Sequence, residues 1–310
     1  MTSEPWILSE AYAGLQSQAL GLAEAAGWNP DIRVLAPRGP WRFLPARAWP
    51  APLRVVADAL RGELPPLSIA CGGMGAAVGA ALRGRGVPAV QIQNPRMDAR
   101  RFDVIVAARH DEMTGPNVVV TRTALHRATG ARLRAEAEHW RRRFATLPRP
   151  LVAVLVGGSN GRFRLDGPVA ARLAGELAAM MRVDRVGLAL TPSRRTDPAA
   201  IRVLADALTP LGAYLWDGSG GNPYFGMLAL ADAIVVTTDS VSMISEAVAT
   251  TAPVLLAPLP GRSRRNGLFT AGLLADGRVR NFTGRLERWE TQPMDDTADA
   301  AAEVRRRLGL

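Results

Sequence analysis

The sequence predicts an α/β protein made of two doubly wound parallel-sheet domains, and three observations carry that prediction. Short apolar runs alternate with helical patterns along nearly the whole chain, which is the signature of parallel sheets covered on both faces. The stretch Ala231–Pro260, ADAIVVTTDSVSMISEAVATTAPVLLAPLP, compresses strand, polar turn, helix and strand into one βαβ unit. The length, 310 residues, is enough for two domains that each bury a core of their own.

In the first half, Trp6–Leu8 reads as a strand and Glu10–Gly14 as a turn. Leu15, Ala19, Leu22 and Ala23 then recur at helical spacing until Gly27. Ile32–Leu35 is the next strand. No GxGxxG follows the first strand, so the dinucleotide fingerprint is missing. Pro37–Pro52 breaks the rhythm with five prolines, and Trp41, Phe43, Leu44 and Trp49 mingle there with Arg38, Arg42 and Arg47. Exposed, that segment would suit an acidic membrane surface; the alternative is an irregular loop whose aromatics pack inward. Leu67–Ala70 runs as a strand into Cys71–Gly75 and the small-residue helix Ala76–Leu82. Strands at Ala89–Ile92, Phe102–Ala107 and Val118–Val120 follow, the second ending at Arg109-His110-Asp111-Glu112.

Arg132–Leu147 is a basic helix with an apolar stripe of Leu133, Ala137, Trp140 and Phe144, read as an interdomain connector. A second βα series begins at Leu151–Val156, which ends in Gly157-Gly-Ser-Asn-Gly161. Helices are expected at Pro168–Met181, Pro198–Leu208 and Met243–Thr250, and strands at Val186–Leu190, Ala213–Trp216, Ala233–Val236 and Val254–Ala257. Arg280–Arg288 reads as irregular, and Ala298–Leu308 as an amphipathic basic helix. The expected division is 1–130 for an acceptor-side domain, 131–149 for the connector, 150–285 for a nucleotide-binding domain, and 286–310 for a tail and terminal helix crossing back.

Composition narrows the chemistry. Hydrophobic residues make up 48% of the chain, yet no run approaches the ~20 apolar residues a membrane span needs. The opening MTSEPWILSE has no basic and apolar succession, so no secretory leader is expected. One cysteine, Cys71, excludes an internal disulfide and any CxxC metal site, and fits a reducing compartment. The expected localisation is cytoplasmic, with peripheral contact at the inner face of the membrane as the further option. Net charge is +10 with no lysine, all 38 basic residues being arginine. A Walker lysine and a Schiff-base lysine are thereby excluded. The arginines are dispersed among acids and no nucleic-acid motif is present, so no nucleic-acid partner is expected. No metal site is expected. Absence of GxSxG weighs against a hydrolase of that class, and absence of GxGxxG and YxxxK against an epimerase or dehydrogenase.

Polar or glycine-rich sequence ends four strands of the second half: Gly157–Gly161, Thr191–Thr196, Asp217–Asn222 and Thr237–Ser240. In a doubly wound sheet these lie along one edge. Gly157, Gly158, Ser159 and Asn160 offer amide donors and a hydroxyl to a diphosphate. Ser193, Arg194 and Arg195 add guanidinium forks matched to phosphate. Asp239, Ser240, Ser242 and Met243 begin a helix whose positive end favours an anion, and Glu246 one turn on suits a sugar diol. The plainer reading is a capped, solvent-facing helix whose Glu complements the dipole. In the first half, His110 is a candidate general base with Asp111 beside it; a structural hydrogen-bonding role is the alternative.

Gly157-Gly158-Ser159, Ala231–Val235 and Ser245-Glu246-Ala247 resemble the second domain of the peptidoglycan N-acetylglucosaminyltransferase, a GT-B enzyme, while Gly73-Met74-Gly75 and Gly86-Val87-Pro88 are similar to its first domain. That enzyme's GGTGGH loop is missing, Glu10–Gln18 standing in its place. A longer match, to the "elongated mitochondria" fission family of plants and alphaproteobacteria, is carried by Gly14–Glu24, Gln91–Arg96, Phe102-Asp103, His110-Asp111, Gly115–Val118, Gly157–Arg164, Ser193–Thr196, Asn222–Phe225 and Thr238–Met243. The resemblance implies a GT-B-like fold, two domains facing a cleft, with Glu246 on the nucleotide ribose. It implies a nucleotide-sugar-dependent, inverting glycosyltransferase acting on an envelope or lipid-linked acceptor. The donor would be a nucleotide-diphosphate sugar, with no permanently bound cofactor. The plant member's association with organelle division implies the rival reading, a non-catalytic adaptor on the same fold.

Overall fold

The computed structural model describes residues 4–310; the first three residues of the segment read for a leader lie outside them. The chain divides into two compact units. One comprises residues up to Arg127 together with Asp295–Leu310, the other Ala128–Met294.

In the first unit the strands are β1 (Trp6–Ser9), β2 (Asp31–Val34), β3 (Ser68–Cys71), β4 (Ala89–Ile92), β5 (Val104–Ala108) and β6 (Val118–Thr121). They form one parallel sheet in the order β2-β1-β3-β4-β5-β6. Helices α1 (Ala13–Ala25), α2 (Pro52–Val55) and α3 (Gly72–Arg83) belong to this unit. The two glycine segments read as loops lie within helices: Gly14 is in the first turn of α1, and Gly72–Gly75 open α3. Close packing explains the second case. A Cβ on Gly75 would stand 2.5 Å from the Leu8 carbonyl oxygen, so α3 lies against β1 only with glycine there. Pro37–Pro52 forms short 3₁₀ turns, with no regular helix before α2.

The second unit holds β7 (Leu151–Val156), β8 (Gly187–Pro192), β9 (Tyr214–Leu215), β10 (Ala233–Thr237), β11 (Val254–Ala257) and β12 (Val279–Asn281). These pair in parallel in the order β12-β11-β10-β7-β8-β9. Helices α4 (Gly130–Phe144), α5 (Gly167–Val183), α6 (Pro198–Leu208), α7 (Tyr224–Leu230), α8 (Val241–Val248) and α9 (Arg264–Ala275) belong with it. All six residues of β7 are buried, as a central parallel strand requires, and each buried Val or Leu there contributes ~1.5–3 kcal/mol relative to exposure. Three elements correct the sequence reading: α7 and α9 were not anticipated, and β12 occupies part of the stretch read as irregular. The helix read as a connector, α4, packs on α7 inside this unit. Trp140 stacks on Phe144 with ring centroids 5.7 Å apart, and a Cβ on Gly226 would meet the indole at 2.3 Å.

The terminal helix α10 (Thr297–Leu308) packs in the first unit, where Ala300, Ala301 and Val304 join Ala19, Leu22 and Ala23 in one core. Both strand orders reverse direction once, between β1 and β3 and between β7 and β10. Such switch points leave a crevice at the carboxyl edge of the sheet.

Candidate functional site

At the switch point of the second unit, β7 runs out into Gly157 and Gly158, and β10 into Thr237–Ser240. The Thr237 hydroxyl accepts the Gly157 N–H at 2.8 Å and donates to Asp239 Oδ1 at 2.7 Å. Asp239 Oδ2 accepts the Gly158 N–H at 3.1 Å and the Arg195 Nη2–H at 2.8 Å. Arg195 also donates from Nη1 to the Gly158 carbonyl at 3.2 Å. Three neighbouring strand ends are thus tied by one carboxylate whose side chain is fully buried, while the Arg195 side chain keeps 38% of its surface in solvent. Glycine is obligatory at both loop positions. A Cβ on Gly157 would lie 2.1 Å from Asp239 Oδ1, and one on Gly158 would lie 2.2 Å from the Arg195 carbonyl oxygen.

The sequence expectations distribute around this knot. Ser193 Oγ accepts the Arg195 N–H at 3.2 Å, so it shapes the turn that presents Arg195. Arg194 is exposed and makes no side-chain hydrogen bond among the described residues. Ser159 and Asn160 serve their own loop: Ser159 Oγ accepts the Leu165 N–H at 2.9 Å, and Asn160 Oδ1 accepts those of Arg162 and Phe163, each at 2.9 Å. Ser240 caps α8 by accepting the Met243 N–H at 3.4 Å, whereas Asp239, read as part of the helix start, turns back to Gly158. The amide donor of Gly158 therefore already faces a carboxylate. Ser242 and Met243 are half-buried in the first turn of α8. Glu246, buried one turn on, accepts the Tyr224 hydroxyl at 2.5 Å. Burial and the Glu246 carboxylate together push the Tyr224 phenol well above its ordinary value, so it stays a donor.

Two partners escaped the sequence reading. Tyr224 was noted only within a motif, although a tyrosine opening a helix beside a strand end was the signal. Asn266, in the unforeseen α9, donates to the carbonyls of Thr238 at 3.2 Å and Asp239 at 3.1 Å and so braces the turn before α8.

The first unit repeats the theme at its own switch point. Glu10 Oε1 accepts the Met74 N–H at the start of α3, at 3.2 Å. Each unit thus presents one of its own carboxylates to the glycine-rich donors at its switch point. His110 is buried in a 3₁₀ turn, Arg109–Asp111, after β5, with Asp111 half-buried beside it. That places both on the carboxyl edge of the sheet, two strands from β3. His126, which the sequence offered no role, is buried 3.4 Å from Asp295; burial outweighs the Asp295 and Asp296 charges and lowers its pKa below the usual imidazole value.

The model of the family described as "Mitochondrial fission ELM1" matches residues 13–308. The chain belongs to that family. The mitochondrial fission protein ELM1 of Arabidopsis thaliana is 34% identical over 275 residues, which is 79% of this chain and 64% of the plant protein, so the chain spans less than two thirds of that relative. Among solved structures, MurG of Acinetobacter baumannii matches with a TM-score of 0.51 and 16% identity, covering 98% of this chain and 90% of that one. The UDP-GlcNAc 2-epimerase of Methanocaldococcus jannaschii, in complex with UDP-GlcNAc and UDP, matches at TM-score 0.60 and 12% identity, covering 99% of each chain. The ELM1-family chain accordingly has the GT-B fold.

Among the described residues no cluster of His, Cys, Asp and Glu could hold a metal ion, and no helix is long and apolar enough to cross a membrane.

Proposed function

We propose that the second unit binds a nucleotide sugar at the carboxyl edge of its sheet and that the protein is an inverting glycosyltransferase for an envelope or lipid-linked acceptor. The observation that carries this reading is the β7/β10 switch point, where a glycine-rich loop, an arginine turn and a helix start bearing Glu246 meet on three adjacent strands. Glu246 accepts from the ribose diol, held in place by the Tyr224 hydroxyl. The amides at the start of α8 and the free guanidinium of Arg194 stabilise the negative charge left on the diphosphate. An acceptor oxygen attacks the anomeric carbon as the bond to the diphosphate breaks, and a general base takes the acceptor's proton. The UDP and UDP-GlcNAc held by the epimerase of similar fold support a uridine nucleotide as the first to try.

Calorimetric titration of the full chain with UDP-, GDP- and CMP-sugars tests this. The wild type should bind one of them, and Glu246→Ala should weaken that binding roughly ten- to a hundredfold, since a hydrogen bond to a charged group is worth roughly 1.5–3 kcal/mol. A folded wild type that binds none of the three removes the reading.

A specific surface feature favours a second reading, an adaptor in membrane or organelle division. In Pro37–Pro52 the tryptophans turn inward: Trp49 is buried and donates from Nε1 to the Trp41 carbonyl at 3.1 Å. Phe43 and Leu44 instead remain 75% and 47% exposed, with the Arg42 guanidinium 4.7 Å from the Phe43 ring centroid. Two apolar side chains flanked by arginines suit shallow insertion among acidic headgroups. The protein should co-sediment with phosphatidylglycerol vesicles and not with phosphatidylcholine ones, and the F43E/L44E variant should stay in the supernatant. Equal sedimentation of that variant would dismiss the membrane contact.

A further inference from the structure

Beside the β7/β10 switch point lies a recess that the candidate site does not use. The loop after β7 and the loop between β11 and α9 are laced together: the Arg164 N–H donates to the Pro260 carbonyl at 2.9 Å and the Arg262 N–H to the Arg162 carbonyl at 3.1 Å. Phe163 and Gly261 form an antiparallel bridge between them. Gly261 adopts φ +141°, and a Cβ there would stand 2.0 Å from the Arg162 carbonyl oxygen, so the crossing admits only glycine. An open recess of about 410 Å³ is lined by residues 160–164, Pro260 and Gly261, and exposed Arg262 is the next residue after that lining. That size falls within the range of small-molecule sites, roughly 300–1,000 Å³.

Its electrostatics are one-sided. Residues 159–166 and 258–266 carry five arginines, at 162, 164, 262, 264 and 265, against the single carboxylate of Asp166. Asp166 is already taken by Arg164 at 2.9 Å. Arg162 donates to the neutral hydroxyl of Ser263 at 3.2 Å, and exposed Arg262 makes no side-chain hydrogen bond or ion pair among the described residues. The contrast with the adjacent nest decides where an anion goes. At Gly158 the amide donor is bonded to the buried Asp239 carboxylate, which repels a second anion. Four residues further along the same loop Arg162 has no carboxylate to neutralise it among the described residues, and neither has Arg262 on the facing loop.

We infer that this recess is a diphosphate-binding subsite, formed by Arg162 and Arg262 across the two laced loops. In resting on the nucleotide-sugar reading, it adds the two arginines to the α8 amides and Arg194 as the groups that hold that donor's diphosphate, in place of the Gly158 amide. Guanidinium forks match phosphate oxygens in pairs, which lysine would not do, and the laced backbone fixes their spacing.

Calorimetry on the full chain at low salt, with inorganic pyrophosphate, UDP, GDP and uridine as probes, tests the inference. Wild type should bind pyrophosphate, and a nucleoside diphosphate at least tenfold more tightly than uridine. The R162A/R262A variant, both changes being at exposed positions, should lose about tenfold or more in affinity for pyrophosphate and for the diphosphate while matching wild type for uridine. R202A, which removes an exposed arginine from α6, should change neither. If wild type does not bind pyrophosphate, or the double variant binds it as tightly, the subsite is refuted. If pyrophosphate binding depends on both arginines but no nucleoside diphosphate binds better than pyrophosphate, the subsite stands and the nucleotide reading fails.

Discussion

Replacing Arg278 by Met should lower the stability of the protein by about 3–5 kcal/mol, because three buried carbonyls lose their donor and each unsatisfied group costs roughly 1–3 kcal/mol. Arg278 is only 5% exposed and faces no carboxylate among the described residues. Its guanidinium instead collects backbone carbonyls where α8 ends: Nη2 donates to Thr250 at 2.7 Å and to Val248 at 3.0 Å, and Nη1 to Ala252 at 3.2 Å. A cation at a helix C-terminus also complements the dipole. Methionine would fill much of the space and leave those acceptors buried and unpaired. Burial lowers the Arg278 pKa from the ordinary guanidinium value to about 10. Above about pH 10 and below the ordinary guanidinium value the unfolded chain therefore holds a proton that the folded one has lost, so stability from this group rises with pH there and is flat near neutrality. Urea midpoints at pH 6 and pH 8 should show the same loss, and an unchanged midpoint would contradict the assigned role.

Asp239→Ala should cost about 2–4 kcal/mol by the same measurement, because the Gly158 N–H loses its acceptor and the Thr237 hydroxyl must turn elsewhere. The figure is set below that for Arg278 because Arg195, at 38% side-chain exposure, can rehydrate once its partner is gone. Asp239→Asn keeps the volume and part of the bonding and should fall between the two. If alanine leaves the midpoint where it was, the buried knot is not what holds the three strand ends together.

How much of this was legible in the sequence depended on what marks each boundary. β4, β7, α6 and β11 were read to the residue, since prolines or glycines bracket each of them. α9 went unseen because Gly267 and Gly272 interrupt it and its apolar residues make no clear stripe; tertiary contacts such as buried Phe269 and Leu273 override the weak local preference. β12 is three residues long and reads as loop until β11 pairs with it. At the site, residue types were readable and partnerships were not. Gly158 and Asp239 are 81 positions apart, and only the strand order β10-β7 brings them together. Likewise nothing local says that the loops carrying Arg162 and Arg262 lie side by side, which depends on the Phe163–Gly261 bridge.

The first unit is discontinuous in the chain, with Ala128–Met294 set between its two pieces. A ribosome therefore releases every residue of the second unit before the first can close. Until α10 emerges, Ala19, Leu22 and Ala23 of α1 lack the partners Ala300, Ala301 and Val304, and Arg122 lacks its bond to Asp296. Contacts so distant in sequence form late, so the apolar face that α10 covers must persist open during synthesis, and chaperones have most to protect there.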